Sequence, residues 1–125
     1  MSRFLVVALG GALGAVSRYG VSLLVALFWR RDFPLATLLI NVSGSFILGL
    51  FATMAVEKTP LDPLLRLFVA TGFVGAYTTF STFEWETHRL AESGALWWGV
   101  VNVVTSVVAG YVAVRAGVAL GRLSG

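Results

Sequence analysis

FPLATLLINVSGSFILGLFATMAV, residues 33–56, contains no charged residue. A helix rises about 1.5 Å per residue, so about 20 apolar residues cross the roughly 30 Å hydrocarbon core of a bilayer. This stretch is long enough, and its neighbours repeat the pattern. Phe4 to Phe28 carries one charge, Arg18, while Leu67 to Phe83 and Ser93 to Val114 carry none. The third run reaches spanning length when extended back to Leu64. The expected fold is an all-α integral membrane protein with spans at about 4–28, 33–56, 64–83 and 94–114. The 125 residues allow one domain.

Composition agrees. Hydrophobic residues make up 58% and charged residues 12% of the chain, with a mean hydropathy of +0.88; a soluble domain carries roughly a quarter charged residues. The net charge of +3 comes from nine scattered Lys and Arg, which read as membrane-flanking charges and not as a nucleic-acid surface. Cysteine is absent, which excludes a disulfide framework. No Ser-His-Asp set, paired histidine ligands or phosphate-cradling glycine loop occurs in a plausible context, so no enzyme is expected. The first run continues past Arg18 to Phe28 and is expected to remain as a span, not to be cleaved as a signal peptide.

The connectors are short. Trp29 to Pro34 joins spans one and two, and Glu57 to Pro63 joins two and three, with prolines where a helix can start. Glu84 to Glu92 reads as the third connector, with His88 in solvent. Trp97 and Trp98 then open span four at headgroup level. Four crossings put Arg3, Lys58, Arg66 and Arg122 on one side and Arg30, Arg31 and Arg89 on the other. Four against three scarcely biases insertion. An oriented monomer and a pair of oppositely inserted copies stand level on charge alone.

Polar groups inside the spans mark the interesting faces. Gly10, Gly14, Arg18 and Ser22 recur every fourth residue, as do Ala109, Ala113, Gly117 and Gly121; such ladders let helix backbones approach closely. Thr37, Asn41 and Ser45 share one face of span two, and Asn102 and Ser106 share one of span four. For Asn41, interhelical glue and a polar track stand level. Gly72 to Phe83, GFVGAYTTFSTF, is a poor uninterrupted helix, so the third helix is expected to break near its middle. Unwound backbone at that depth must be buried in protein or line a cavity, where carbonyls can hold a cation. Phe80 and Phe83 share a helix side and can turn positive ring edges to an anion, although packing is the common role of such a pair. Arg18 is the only deep charge and a candidate for attracting anions; snorkelling or a structural pairing are its other readings.

At these residues the chain resembles the Fluc (CrcB-type) fluoride channels. The likeness covers essentially the whole chain. It rests on GGALGAVSRY (10–19), NVSGSFILG (41–49) and the stretch from Gly72 through TTFSTF (78–83) to Glu86; the Thr-Thr-Phe-Ser-Thr-Phe run is near-identical in the family and highly specific. The resemblance implies a dual-topology antiparallel homodimer with two fluoride pores in the bacterial inner membrane. It implies that Phe80 and Phe83 belong to an edge-on phenyl box and that Asn41 donates to fluoride. Ser81 and Thr82 would add hydroxyls, with Ser106 a weaker carry-over because the polar positions of span four vary. It also implies a structural, untransported Na+ held by backbone oxygens of Gly75 and Thr78 from both subunits. Ala76 and Tyr77 depart from the commoner Gly and smaller apolar residue. Glu84 stands where many relatives have Ser and places a negative charge near one pore end.

The expected activity is passive, fluoride-selective export that lowers cytoplasmic fluoride. Two other readings compete. A small multidrug-resistance-type proton-coupled exporter also has four short spans, but it relies on a first-span glutamate that is missing between Phe4 and Phe28. A non-transporting assembly factor would use the polar stripes as glue.

Overall fold

The computed structural model describes residues 2–58 and 60–124, and all regular structure among them is helical. Helix α1 covers Arg3–Ala26. Helix α2, Leu35–Thr53, widens into a π-helical turn over Met54–Lys58. Helix α3, Pro63–Arg66, begins with Pro63 in its first turn, and the Asp62 carboxylate accepts from the Leu64 amide at 2.7 Å, as expected of an N-cap. A π-helix over Leu67–Val74 and a short α4, Gly75–Tyr77, follow. Helix α5 is Phe80–Glu92 and α6 is Leu96–Leu123. Among the described residues four rods, Arg3–Ala26, Leu35–Lys58, Pro63–Glu92 and Leu96–Leu123, are long and apolar enough to cross a membrane. This is a multi-pass membrane architecture.

The ends of the rods differ from the sequence expectation in two places. The stretch 84–92, expected as a connector, is the continuation of α5, which puts His88 on an exposed helical turn 3.5 Å from Glu92. The chain turns only after Ser93. There Gly94 has φ +85° and the Ala95 amide donates back to the Leu90 carbonyl at 2.9 Å, a Schellman stop that needs a residue without a Cβ. Helix α6 likewise continues past Val114 to Leu123. At about 42 Å it exceeds the hydrocarbon thickness and carries Arg115 and Arg122 toward the surface. Thr59, in the second connector, lies outside the described residues.

Packing follows the small-residue ladders. The tightest pairs are α2 with α6 and α1 with the π-helix. A Cβ on Gly10 would strike the Phe68 carbonyl, and one on Gly14 the Phe73 carbonyl. Across the other pair, Gly49 meets the Val114 carbonyl and Gly117 that of Phe46. Backbone touches backbone at each point, which only glycine permits. Arg122 closes the end of the second pair, with two nitrogens at 2.9 and 3.0 Å from the Glu57 carboxylate. That pair is solvent-exposed and contributes little stability. The outer faces, including Leu13, Val16, Val104 and Val108, are exposed and apolar, as surfaces for lipid or another subunit must be.

This packing predicts a contrast between two glycines. Gly117→Leu forces a side chain into backbone and should destabilise the fold by about 3 kcal/mol or prevent monodisperse purification. Gly20 has nothing near its would-be Cβ, so Gly20→Leu should be tolerated. Melting curves in detergent check this, and equal melting temperatures would contradict the packing.

Candidate functional site

The site is built around two residues that leave helical geometry inside the third rod. Thr78 (φ −81°, ψ 158°) and Thr79 (φ −150°, ψ 114°) are extended, separating α4 from α5. Each loose end is tied. The Thr78 amide and its hydroxyl both donate to the Val74 carbonyl, at 3.0 and 2.9 Å. The Thr79 hydroxyl caps α5, accepting from the Thr82 amide at 3.3 Å and donating to the Thr82 hydroxyl at 3.0 Å.

Asn41 holds the centre of this segment. Its Oδ1 accepts from the Thr79 amide at 2.8 Å and its Nδ2 donates to the Thr79 carbonyl at 3.0 Å. The two contacts fix the orientation of the carboxamide, because only the oxygen can take the amide proton. An Asn amide has two N–H bonds. One is committed to Thr79, leaving one for the groove that Asn41 lines.

Arg18 donates from Nε to the Ala76 carbonyl at 3.1 Å. It therefore meets the third rod on the side of α1 and is absent from the groove lining. Tyr77 is buried, stacked on Phe73 with ring centres 5.8 Å apart. Its hydroxyl lies 2.9 Å from the Ser43 Oγ. Since Ser43 spends its own proton on the Ile40 carbonyl, the tyrosine is the donor. Gly44 admits the Thr78 methyl where α2 crosses the extended pair.

Two main-chain oxygens come free by the same accounting. The Thr79 amide, which would have bonded the Gly75 carbonyl in a continuous helix, goes to Asn41. The Thr82 amide, which would have bonded the Thr78 carbonyl, goes to the Thr79 hydroxyl. Gly75 is exposed and Thr78 half-buried. Hard oxygen donors of this kind suit a small cation such as Na+.

A groove of about 300 Å3 runs beside this segment, lined by Asn41, Ser45, Phe80, Phe83 and Ser106 among others, with no charged side chain. The two phenyl rings meet edge to face, centroids 5.8 Å apart at 61°. Phe83 is 6% exposed but Phe80 is 73% exposed. Ser106 donates to Asn102 at 3.4 Å, Asn102 to Thr87 at 2.9 Å and Thr87 to the Phe83 carbonyl at 2.8 Å. Asn102, 2% exposed, thus joins α6 to α5.

Of the residues singled out from sequence, Asn41, Thr78, Phe80, Phe83 and Ser106 meet in this groove. Thr82 lines a separate cavity one turn further along α5, and Ser81 is exposed. Gly75 and Arg18 are elsewhere. Two participants escaped the sequence reading. Thr79 is the anchor of the extended pair. Glu86, which the sequence places in a connector, accepts from the buried Thr37 hydroxyl. The spacing of Thr37 and Asn41 was the available signal, since both bond to the third rod, while Ser45, next in the stripe, lies toward Gly110 of α6.

Comparisons with known proteins place the chain in a family. Residues 5–118 match the family model described as CrcB-like protein, Camphor Resistance (CrcB). Similar proteins include one from Solibacter usitatus, 42% identical over 96% of this chain and 98% of its own. Another, from Sulfurihydrogenibium sp., is 40% identical over 98% and 99%. A third, from Acidobacterium capsulatum, is 44% identical over 96% of each chain. All three carry the name fluoride-specific ion channel FluC. A family match along nearly the whole length and relatives of the same size make this chain a member of the CrcB-like family.

Proposed function

We propose that the protein is a fluoride-selective channel of a bacterial inner membrane, exporting the ion passively and so limiting its toxicity in the cytoplasm. The observation that carries this reading is the uncharged groove in which the uncommitted Asn41 N–H and the Phe80–Phe83 ring pair converge. Fluoride holds its water tightly, so a pore must offer substitutes without holding the ion fast. Amide and hydroxyl donors and the positive edges of phenyl rings are such substitutes. Ser81 and Thr82 add hydroxyls on the first turn of α5. The relatives' shared name, fluoride-specific ion channel, supports the same reading. It gives no support to a proton-coupled exporter, whose first-span carboxylate has no counterpart here. A negative-inside potential drives an anion outward with about 2.3 kcal/mol per 100 mV, so the pore needs no fuel.

The working unit in this reading is a homodimer of oppositely inserted copies. The groove is open on the side where Phe80 stands exposed, so a second copy would supply the missing wall. The near-even distribution of Lys and Arg permits both insertions. The freed oxygens of Gly75 and Thr78 from each copy would hold a Na+ ion between the subunits. When bound it supplies fixed positive charge that neutralises those oxygens and joins the subunits. In this chain Asn41 and Thr79 turn the oxygens out of the helical ladder, and Arg18 steadies the intervening Ala76 carbonyl.

Three measurements test the proposal. Liposomes containing the protein should release fluoride, read by an ion electrode, while retaining chloride; equal release of both would remove selectivity. Phe80→Ile and Phe83→Ile together should abolish the fluoride flux of a protein that still purifies as a dimer, and unchanged flux would remove the rings from the pathway. Tags on the two termini should be accessible from both faces of the membrane. Labelling from one face only would exclude opposite insertion.

A further inference from the structure

We propose that Arg89 offsets the carboxylates at one mouth of the pathway and so admits anions to it, a role that rests on the channel reading above. Thr82, Glu86 and Arg89 follow one another at steps of four and three residues on α5, and its C-cap Ser93 comes four residues later, hence on one face. All four line a cavity of about 460 Å3. That face continues the line begun at Thr79, which lines the groove and whose hydroxyl donates to Thr82, so the cavity lies next to the groove, one turn further along α5.

The charges around this cavity set the argument. Its lining carries two carboxylates, Asp32 and Glu86, and a single cation, Arg89. Asp32 also lines the adjoining aromatic cavity, together with Arg31. Glu86 is held by Thr37. The ion pairs among the described residues are His88–Glu92 and Glu57–Arg122, so Arg89 is not neutralised by contact with either carboxylate. Instead its guanidinium rests over the Trp85 ring, 5.9 Å from the centroid, within the range of a cation–π contact. The indole fixes the position of the charge without cancelling it. Without Arg89 an approaching anion would meet two negative groups and no positive one. With it, the lining carries one net negative charge instead of two, and in a cleft walled by Trp85, Pro34 and Leu90 the repulsion that an entering anion meets is weakened.

Such a role predicts a rate that depends on ionic strength, which a packing role does not. Fluoride efflux from liposomes is measured at low fluoride in symmetric impermeant salt, at about 0.01 M and about 1 M, where the Debye length falls from about 30 Å to about 3 Å. Arg89→Gln should slow efflux about threefold at the low ionic strength and match the unaltered protein at the high one. Arg89→Lys should restore most of the rate. Asp32→Asn should act in the opposite sense, raising efflux at low ionic strength only, and it keeps the proposal testable should Arg89→Gln fail to fold. A deficit in Arg89→Gln that is equal at both ionic strengths, or no deficit at either, would overturn the proposal while leaving the channel intact. Absence of fluoride efflux from the unaltered protein would instead overturn the channel reading, and this one with it.

Discussion

A peptide group turned out of helical register inside hydrocarbon has no water to fall back on, and each unpaired N–H or C=O there costs several kcal/mol. The rest of this structure depends on how Asn41 meets that demand. Its carboxamide presents a donor and an acceptor to the same Thr79 peptide, standing in for the neighbouring turn of a helix. The Thr78 and Thr79 side chains and Arg18 tie the adjoining groups. What is left over are the oxygens of Gly75 and Thr78 and the second amide proton of Asn41. The tie to Thr79 thus leaves one Asn41 N–H free for the role proposed above, and the structural and proposed roles are not alternatives.

That clamp works only if α2 comes close enough to deliver it. Gly44 removes the side chain that would stand between α2 and Thr78, while Gly10 and Gly14 seat the π-helix against α1. The wide turns of the π-helix shift the register of the third rod just before its extended pair, a placement frequent beside functional sites. Interhelical hydrogen bonds in membranes contribute about 0.6 to 2 kcal/mol each. No single one holds the arrangement; the close backbone contacts and the polar ties act together.

The four rods were legible in the sequence because a bilayer imposes length and apolarity directly on the chain. The two small-residue ladders were legible as packing surfaces for the same kind of reason. Partners across space were not. Periodicity marks Thr37 as belonging to the face of Asn41, yet it cannot say that Glu86 lies opposite, because that depends on where α2 crosses α5. Likewise the sequence flags Arg18 as a costly deep charge without indicating that a carbonyl in α4 receives it. The end of the third rod was misplaced since its charged last turns resemble a connector; the true stop is set by the backbone of Gly94. Phe80 and Phe83 look equivalent by spacing, but a step of three residues leaves an offset of about 60° around the helix, enough to bury one ring and expose the other.

All four tryptophans of the chain belong to one end of the bundle. Trp29 and Trp98 share an aromatic cavity with Phe33, Trp97 adjoins Trp98 at the start of α6, and Trp85, midway along α5, lines a cavity with Asp32 and Pro34 of the first connector. A lone copy thus carries indole anchors at one headgroup layer and none at the other, whereas bilayer proteins favour such anchors at both. Two copies set head to tail would complete an indole girdle around each rim of the particle, so that oppositely inserted subunits would fasten one another's bare ends to the lipid.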